Sequence, residues 1–253
     1  MSVTDENKIL SREEIEKMFD YVGDYSEGLI AVMNDGKRYH IRPDGSPAYE
    51  KMFDYVGDFS EGLACVFNGE DWYHIRPDGS PAYSQRFPKV GDFSEGLAYV
   101  FNGEDWYHIR PDGSPAYEER YCDANEFSHG LACVFNGEDW YHIRPDGRPA
   151  YEERFDYVNE CSEGLACVTK DGRRYHIRPD GSPAYEERFD DVGDFFEGLA
   201  QVTKDGRRYH IRPDGRPAYE ERFDNAGDFF EGLARVFNGE DWYNIRPDGT
   251  RVD

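Results

Sequence analysis

The chain has 253 residues, with 53 acidic side chains against 29 basic ones and a net charge of -24. That balance argues against a nucleic-acid backbone or an anionic membrane as partner, because both would be repelled. Aromatic residues make up 16% of the chain, an enrichment that suits half-buried strands.

The N-terminal stretch Met1 to Ile9 is polar and acidic. It lacks the apolar region of a secretory signal, and no apolar run is long enough to span a bilayer. The five cysteines, Cys65, Cys122, Cys133, Cys161 and Cys167, are odd in number and form no CxxC pair. A disulfide framework is therefore not expected, and a reducing, cytoplasmic setting is the simpler reading.

Ser11-Arg12-Glu13-Glu14 has the form of a capping box, which offers a short helix as the alternative to an outer strand. Next comes Glu-Gly-Leu at Glu27, Glu61, Glu95, Glu163, Glu197 and Glu231, with His129-Gly130-Leu131 as a variant. The glycines stand at 28, 62, 96, 130, 164, 198 and 232, a constant step of 34 residues. Ile15, Tyr49 and Asp253 share one repeat position, so the chain carries seven whole periods. A fixed period of this size marks a repeat architecture. We expect a short extension over 1–12 and one seven-repeat domain over 13–253, with residues 13–25 completing the last repeat.

Within a repeat, Leu97 to Phe101 and Trp106 to Arg110 flank the turn Asn102-Gly103-Glu104-Asp105 and read as a β-hairpin. Where the first strand ends in Phe67, Phe101, Phe135 or Phe237, the second begins with Trp72, Trp106, Trp140 or Trp242. Where it ends in Thr169 or Thr203, the second begins with Arg174 or Arg208. Residues that switch together across a turn are expected to be cross-strand neighbours. Period two then puts Leu63, Cys65, Phe67, Trp72 and His74 on one face and Ala64, Val66, Tyr73 and Ile75 on the other. Both faces carry apolar residues, so each hairpin needs a neighbour on each side. The segment Ser114 to Arg120 is expected to be an outer strand, with a short helical turn as the alternative.

The string Asp92-Phe93-Ser94-Glu95-Gly96-Leu97-Ala98, followed by Val100, a turn, an aromatic-Ile strand and Asp112-Gly113, resembles the bacterial WG repeat. The resemblance covers roughly residues 15–253 and departs at the namesake dipeptide: Trp72 is followed by Tyr73, and at Arg174-Tyr175 the Trp itself is gone. It implies an interaction module without catalytic activity. The fold expectation is all-β: seven repeats closing into a seven-bladed β-propeller with short blades. The alternative is an open β-solenoid or superhelical array of hairpins.

Three rows invite chemistry. His40, His74, His108, His142, His176 and His210 occupy one slot, and Asn244 takes it in the seventh copy. On the hairpin register they lie opposite Ala31, Cys65, Tyr99, Cys133, Cys167, Gln201 and Arg235. Three Cys/His pairs could hold a metal or a nucleophile, but one Cys and one His per unit do not converge into a four-ligand site. They read better as a buried thiol beside a hydrogen-bonded imidazole. The Arg row from Arg42 to Arg246 is expected to pair with nearby carboxylates. Trp72, Trp106, Trp140 and Trp242 are expected to pack between units, with sugar stacking as the alternative. No metal, cofactor or catalytic residue is expected. Candidate ligand-binding positions are those that differ between copies, Tyr99, His129, Gln201, Arg235 and Asn244, together with the four Trp. The functional expectation is a monomeric, non-enzymatic scaffold binding a protein partner. The alternatives are a multivalent glycan- or small-ligand-binding propeller, or an amplified or engineered scaffold with no ligand.

Overall fold

A turn signal every few residues leaves room only for short strands. A computed structural model of the protein describes residues 9–252. The expectations about Met1 to Lys8 lie outside them. The described chain divides into two compact units, 1–127 and 128–253.

The first unit opens with helix α1 (Arg12–Glu16). The capping box forms, so the helical alternative holds here: Ser11 accepts from the Glu14 backbone N–H, and the Glu14 carboxylate accepts from the Ser11 N–H. Three antiparallel sheets follow: β1–β2–β3 (Tyr21–Ser26, Leu29–Asn34, Lys37–Ile41), β4–β5–β6 (Tyr55–Val56, Ala64–Phe67, Trp72–Ile75) and β7–β8–β9 (Lys89–Val90, Ala98–Phe101, Trp106–Ile109). Strand β10 (Asp123–Ala124) is the last of this unit.

The second unit has the hairpin β11–β12 (Ala132–Phe135, Trp140–Ile143) and the sheets β13–β14–β15 (Tyr157–Ser162, Leu165–Lys170, Arg173–Ile177) and β16–β17–β18 (Asp191–Phe196, Leu199–Lys204, Arg207–Ile211). Its final sheet has four strands, β19–β20–β21–β22 (Asn225–Ala226, Ala234–Phe237, Trp242–Ile245, Arg251–Val252).

The hairpin register matches the covariation between copies. Phe67 pairs with Trp72, Phe101 with Trp106, Thr169 with Arg174 and Thr203 with Arg208. Both faces are covered. Ala64, Val66 and Ile75 are fully buried on one, and Cys65 and His74 are buried on the other.

Glu-Gly, or His129-Gly130 in the fourth copy, is the two-residue turn that opens each hairpin. Glu27 (φ 48°) and Gly28 (φ 87°) join Ser26 to its partner Leu29, the double positive φ of a type I′ turn. Glycine adopts that backbone freely. Glutamate does so at a cost of about 1–2 kcal/mol. The cost is offset across the sheets, where Glu27 Oε2 accepts from the Gly62 N–H (2.8 Å), Glu61 from Gly96 (2.7 Å) and Glu197 from Gly232 (2.8 Å). A neutral asparagine would suit the turn but could not reach the next sheet with a charge.

The outer segment is neither the expected strand nor a helix. Pro81 bridges Ile75 and Phe87 bridges Trp72, while the residues between them bow outward. Two contacts impose the bow. The Tyr83 hydroxyl turns inward to His74 (2.5 Å), and the Arg86 guanidinium gathers the carbonyls of Tyr83, Ser84 and Gln85 while lying 3.8 Å from the Tyr73 ring centroid.

The first strand of a sheet carries a bulge. In β1 the register shifts between Val22 and Tyr25, and the equivalent Gly57, Gly91 and Gly227 each donate to the middle strand. At Gly91 the need for glycine is steric, since an added Cβ would run into the Tyr99 ring. Gly91→Ala is therefore expected to destabilise the protein by about 1–3 kcal/mol, and adding Tyr99→Ala should recover part of the loss. Urea melts of the two single variants and the double variant measure this coupling.

Candidate functional site

The buried polar groups come first, because a desolvated imidazole is either satisfied or functional. His40, His74, His108, His142, His176 and His210 are all at most 1% exposed. Each pairs with the residue expected from the hairpin, for example Cys65↔His74, Gln201↔His210 and, in the seventh copy, Arg235↔Asn244.

Both ring nitrogens are engaged. His74 Nδ1 meets the Tyr83 hydroxyl (2.5 Å) and Nε2 meets the Gly91 carbonyl of the next sheet (2.8 Å). The same contacts are 2.6 and 2.9 Å at His40, and 2.6 and 3.0 Å at His142. A carbonyl only accepts, so Nε2 carries the proton and donates. Nδ1 is then the acceptor of the tyrosine O–H. At His40, His74, His108, His176 and His210 the ring also lies 4.6 Å from the centroid of the next sheet's phenylalanine, Phe93 for His74 and Phe195 for His176. Each imidazole thus joins one sheet to its successor, and neither nitrogen is left for a metal or a substrate.

Burial pushes these imidazoles down to about 4, with the carbonyl contact opposing. The neighbouring thiols move the other way. Burial raises Cys65, with Asp92 adding to it, and burial likewise raises Cys133 and Cys167. A thiol held protonated beside a neutral imidazole is a poor nucleophile. Among the described residues, no group of three or more His, Cys, Asp or Glu could hold a metal ion.

At the start of the first unit, the half-exposed Arg12 lies against the first strand. Its guanidinium reaches the carbonyls of Gly23 (3.4 Å) and Val22 (3.5 Å) and the Asp24 carboxylate (3.4 Å). Gly23 is the counterpart of Gly57, which accepts from His40.

The Arg row needs a correction. Arg144 donates to the carbonyls of Pro149 (3.0 Å) and Ala150 (2.7 Å), and Arg212 to those of Pro217 (2.8 Å) and Ala218 (2.9 Å). These residues hold the start of the outer segment, and among the described residues their guanidiniums reach carbonyls and not carboxylates. The reason is local: the turn brings two carbonyls into the span of one guanidinium fork. The Trp rings stack within their own sheet, and Trp140 also meets Tyr157 of the following sheet edge-on (5.6 Å), the packing between units that was expected. Trp72 lies 5.2 Å from Phe67, Trp140 5.3 Å from Phe135, and Trp242 5.3 Å from Phe237.

The copy-specific positions fall in different places. Tyr99 is half-buried with its ring 5.7 Å from that of Trp106. His129 is exposed in its turn (φ 54°) and bonds Ser128 Oγ (3.0 Å). Gln201 is half-buried on β17. Arg235 and Asn244 are exposed, with the Arg235 guanidinium 5.1 Å from the Trp242 ring, which is itself 47% exposed. Contacts thus bring together Tyr99 with Trp106 and Arg235 with Trp242.

Two positions escaped the sequence reading. Ser26 Oγ donates to the Phe59 carbonyl of the next sheet (2.6 Å), Ser60 to Phe93 (2.8 Å) and Ser162 to Phe195 (2.8 Å). In the last two copies that slot holds Phe196 and Phe230, which are 46% and 76% exposed. The departure from Ser is visible when the copies are aligned.

The fold and these contacts define an all-β tandem-repeat protein whose sheets are joined by buried histidines. Four segments, 12–37, 41–72, 179–207 and 211–242, match the family model for the WG containing repeat, which supports a WG-repeat protein. No curated protein matches the chain. Among solved structures, a eukaryotic initiation factor is similar at 12% identity and a TM-score of 0.55, covering 85% of this chain and 69% of its own. Kluyveromyces lactis Hsv2 is similar at 11% identity and a TM-score of 0.45, covering 92% of this chain and 99% of its own. At such identities the likeness concerns the fold alone.

Protonation gives a test of the histidine contacts. The unfolded chain takes up protons near 6.5, whereas the folded imidazoles resist them until about 4. Stability from this source is therefore complete above pH 6.5 and lost as pH falls toward 4, at up to about 1.4 kcal/mol per pH unit for each histidine. Urea midpoints should be flat from pH 8 to about 7 and drop steeply below about 6.5. Midpoints unchanged down to pH 5 would contradict this assignment.

Proposed function

We propose that the chain is a non-enzymatic scaffold that binds a protein partner. The observation that carries this reading is the division of labour among side chains. The repeated histidines, His40 to His210 at the 34-residue step, and their tyrosine partners are buried and engaged in holding sheets together. Several residues that differ between copies, His129, Phe196, Phe230, Arg235 and Asn244, reach the surface. Identical buried positions serve the shared fold, and exposed copy-specific ones are where recognition can be specific. The net charge of -24 favours a basic partner over nucleic acid or anionic lipid. Five free cysteines accord with a reducing compartment. Among the described residues no helix is long and apolar enough to cross a membrane.

The closing of seven units into a propeller belongs to the same proposal, supported by the unbroken 34-residue step. Small-angle scattering should give a compact disc, and an elongated profile would replace it with an open β-array. For the function, the test is affinity capture from the native host followed by titration of the purified partner. Saturable binding that weakens with added salt is expected. Multivalent signals on a glycan array with no protein partner would overturn the reading in favour of a lectin.

A further inference from the structure

The turns that join the first two strands of the last two sheets read Asp194-Phe195-Phe196-Glu197-Gly198-Leu199 and Asp228-Phe229-Phe230-Glu231-Gly232-Leu233. The first phenylalanine of each pair goes inward: Phe195 is 1% exposed and Phe229 3%. The second goes outward, in the slot where other repeats place the serine that donates to the next sheet. Phe196 lacks the hydroxyl for that bond to the Phe229 carbonyl and remains 46% exposed, while Phe230 is 76% exposed. Burying an aromatic side chain of this size is worth about 1.5–3 kcal/mol, so each ring holds unused hydrophobic free energy at the surface.

The two turns are neighbours along one edge. The Glu197 carboxylate accepts from the Gly232 N–H (2.8 Å), so the turn bearing Phe196 is tied directly to the turn bearing Phe230. The surroundings are acidic. Glu197, Asp228 and Glu231 are exposed, and neither turn contains a basic residue. Paired apolar rings framed by carboxylates suit a ligand with apolar anchors flanked by cations. A second copy of this chain would bring like charge to the same edge and be repelled.

We propose that the Phe196–Phe230 edge docks a basic segment of a partner protein, which seats apolar side chains on the two rings and sets lysine or arginine over Glu197, Asp228 and Glu231. This rests on the scaffold reading above and assigns that scaffold one contact surface.

The test uses the full chain and a fluorescein-labelled peptide of alternating lysine and leucine, followed by fluorescence anisotropy. Phe196→Ser/Phe230→Ser is the informative variant, because it restores the residue other repeats carry and so preserves folding, which a thermal melt checks. It should bind the peptide at least about tenfold more weakly than the parent chain, the loss expected when two aromatic anchors are removed. The parent's affinity should fall with salt, and a peptide with glutamate in place of lysine should not bind. Undiminished binding by the double variant overturns the proposal, as does equal binding of a peptide with serine in place of leucine. Absence of binding to the parent chain overturns it too. If the double variant still binds the purified host partner as the parent does, this edge is excluded while the scaffold reading stands. If neither form binds any host protein, the scaffold reading itself fails.

Discussion

A unit of 34 residues yields only short strands, and a sheet of three such strands with apolar residues on both faces cannot be stable alone. Everything else in the structure answers that constraint. Each sheet must borrow its neighbour's surface, and the borrowed contact must also satisfy the polar groups it desolvates. One histidine meets both demands. At His74 the imidazole covers Phe93, donates to the bulged Gly91 carbonyl and accepts from Tyr83. The bulge turns that carbonyl toward the ring, and the bowed outer segment brings the tyrosine hydroxyl in from the other side. Glu61 on Gly96 and Ser60 on the Phe93 carbonyl repeat the same kind of link at the turn edge.

Seen this way, conspicuous rows of reactive residues need not be sites. A histidine, a thiol and a tyrosine packed together resemble catalytic machinery, yet burial drives the imidazole neutral and the thiol protonated. The guanidiniums of Arg86 and Arg144 likewise turn toward backbone carbonyls within the repeat. Under the proposed scaffold function, specificity comes from departures. At Phe196 and Phe230 the repeat abandons a structural bond, and at Arg235 and Asn244 a buried pair becomes an exposed one.

Much of the sheet was legible because the copies vary in step. Phe67 with Trp72 and Thr169 with Arg174 gave the register, and the register set each histidine opposite its variable partner. The Ser11 capping box was equally readable, since its contacts are local. The outer segment was not, because its shape depends on Tyr83 and Arg86 finding partners in three dimensions. The Arg row was misread for a related reason. Charge suggested a carboxylate partner, but the turn geometry offered two carbonyls closer at hand. Phe196 and Phe230 stand out when the copies are aligned, yet only the bond made by Ser60 to the next sheet shows what they give up.

The central claim is that the repeated imidazoles are neutral, Nε2-protonated links between sheets. Nitrogen-15 NMR of the histidine rings near pH 5.5 tests it most directly. Neutral Nε2–H rings at His40, His74, His108, His142, His176 and His210 are the predicted result. Imidazolium signals that titrate near 6.5 throughout the row, in a chain that stays folded, would contradict it.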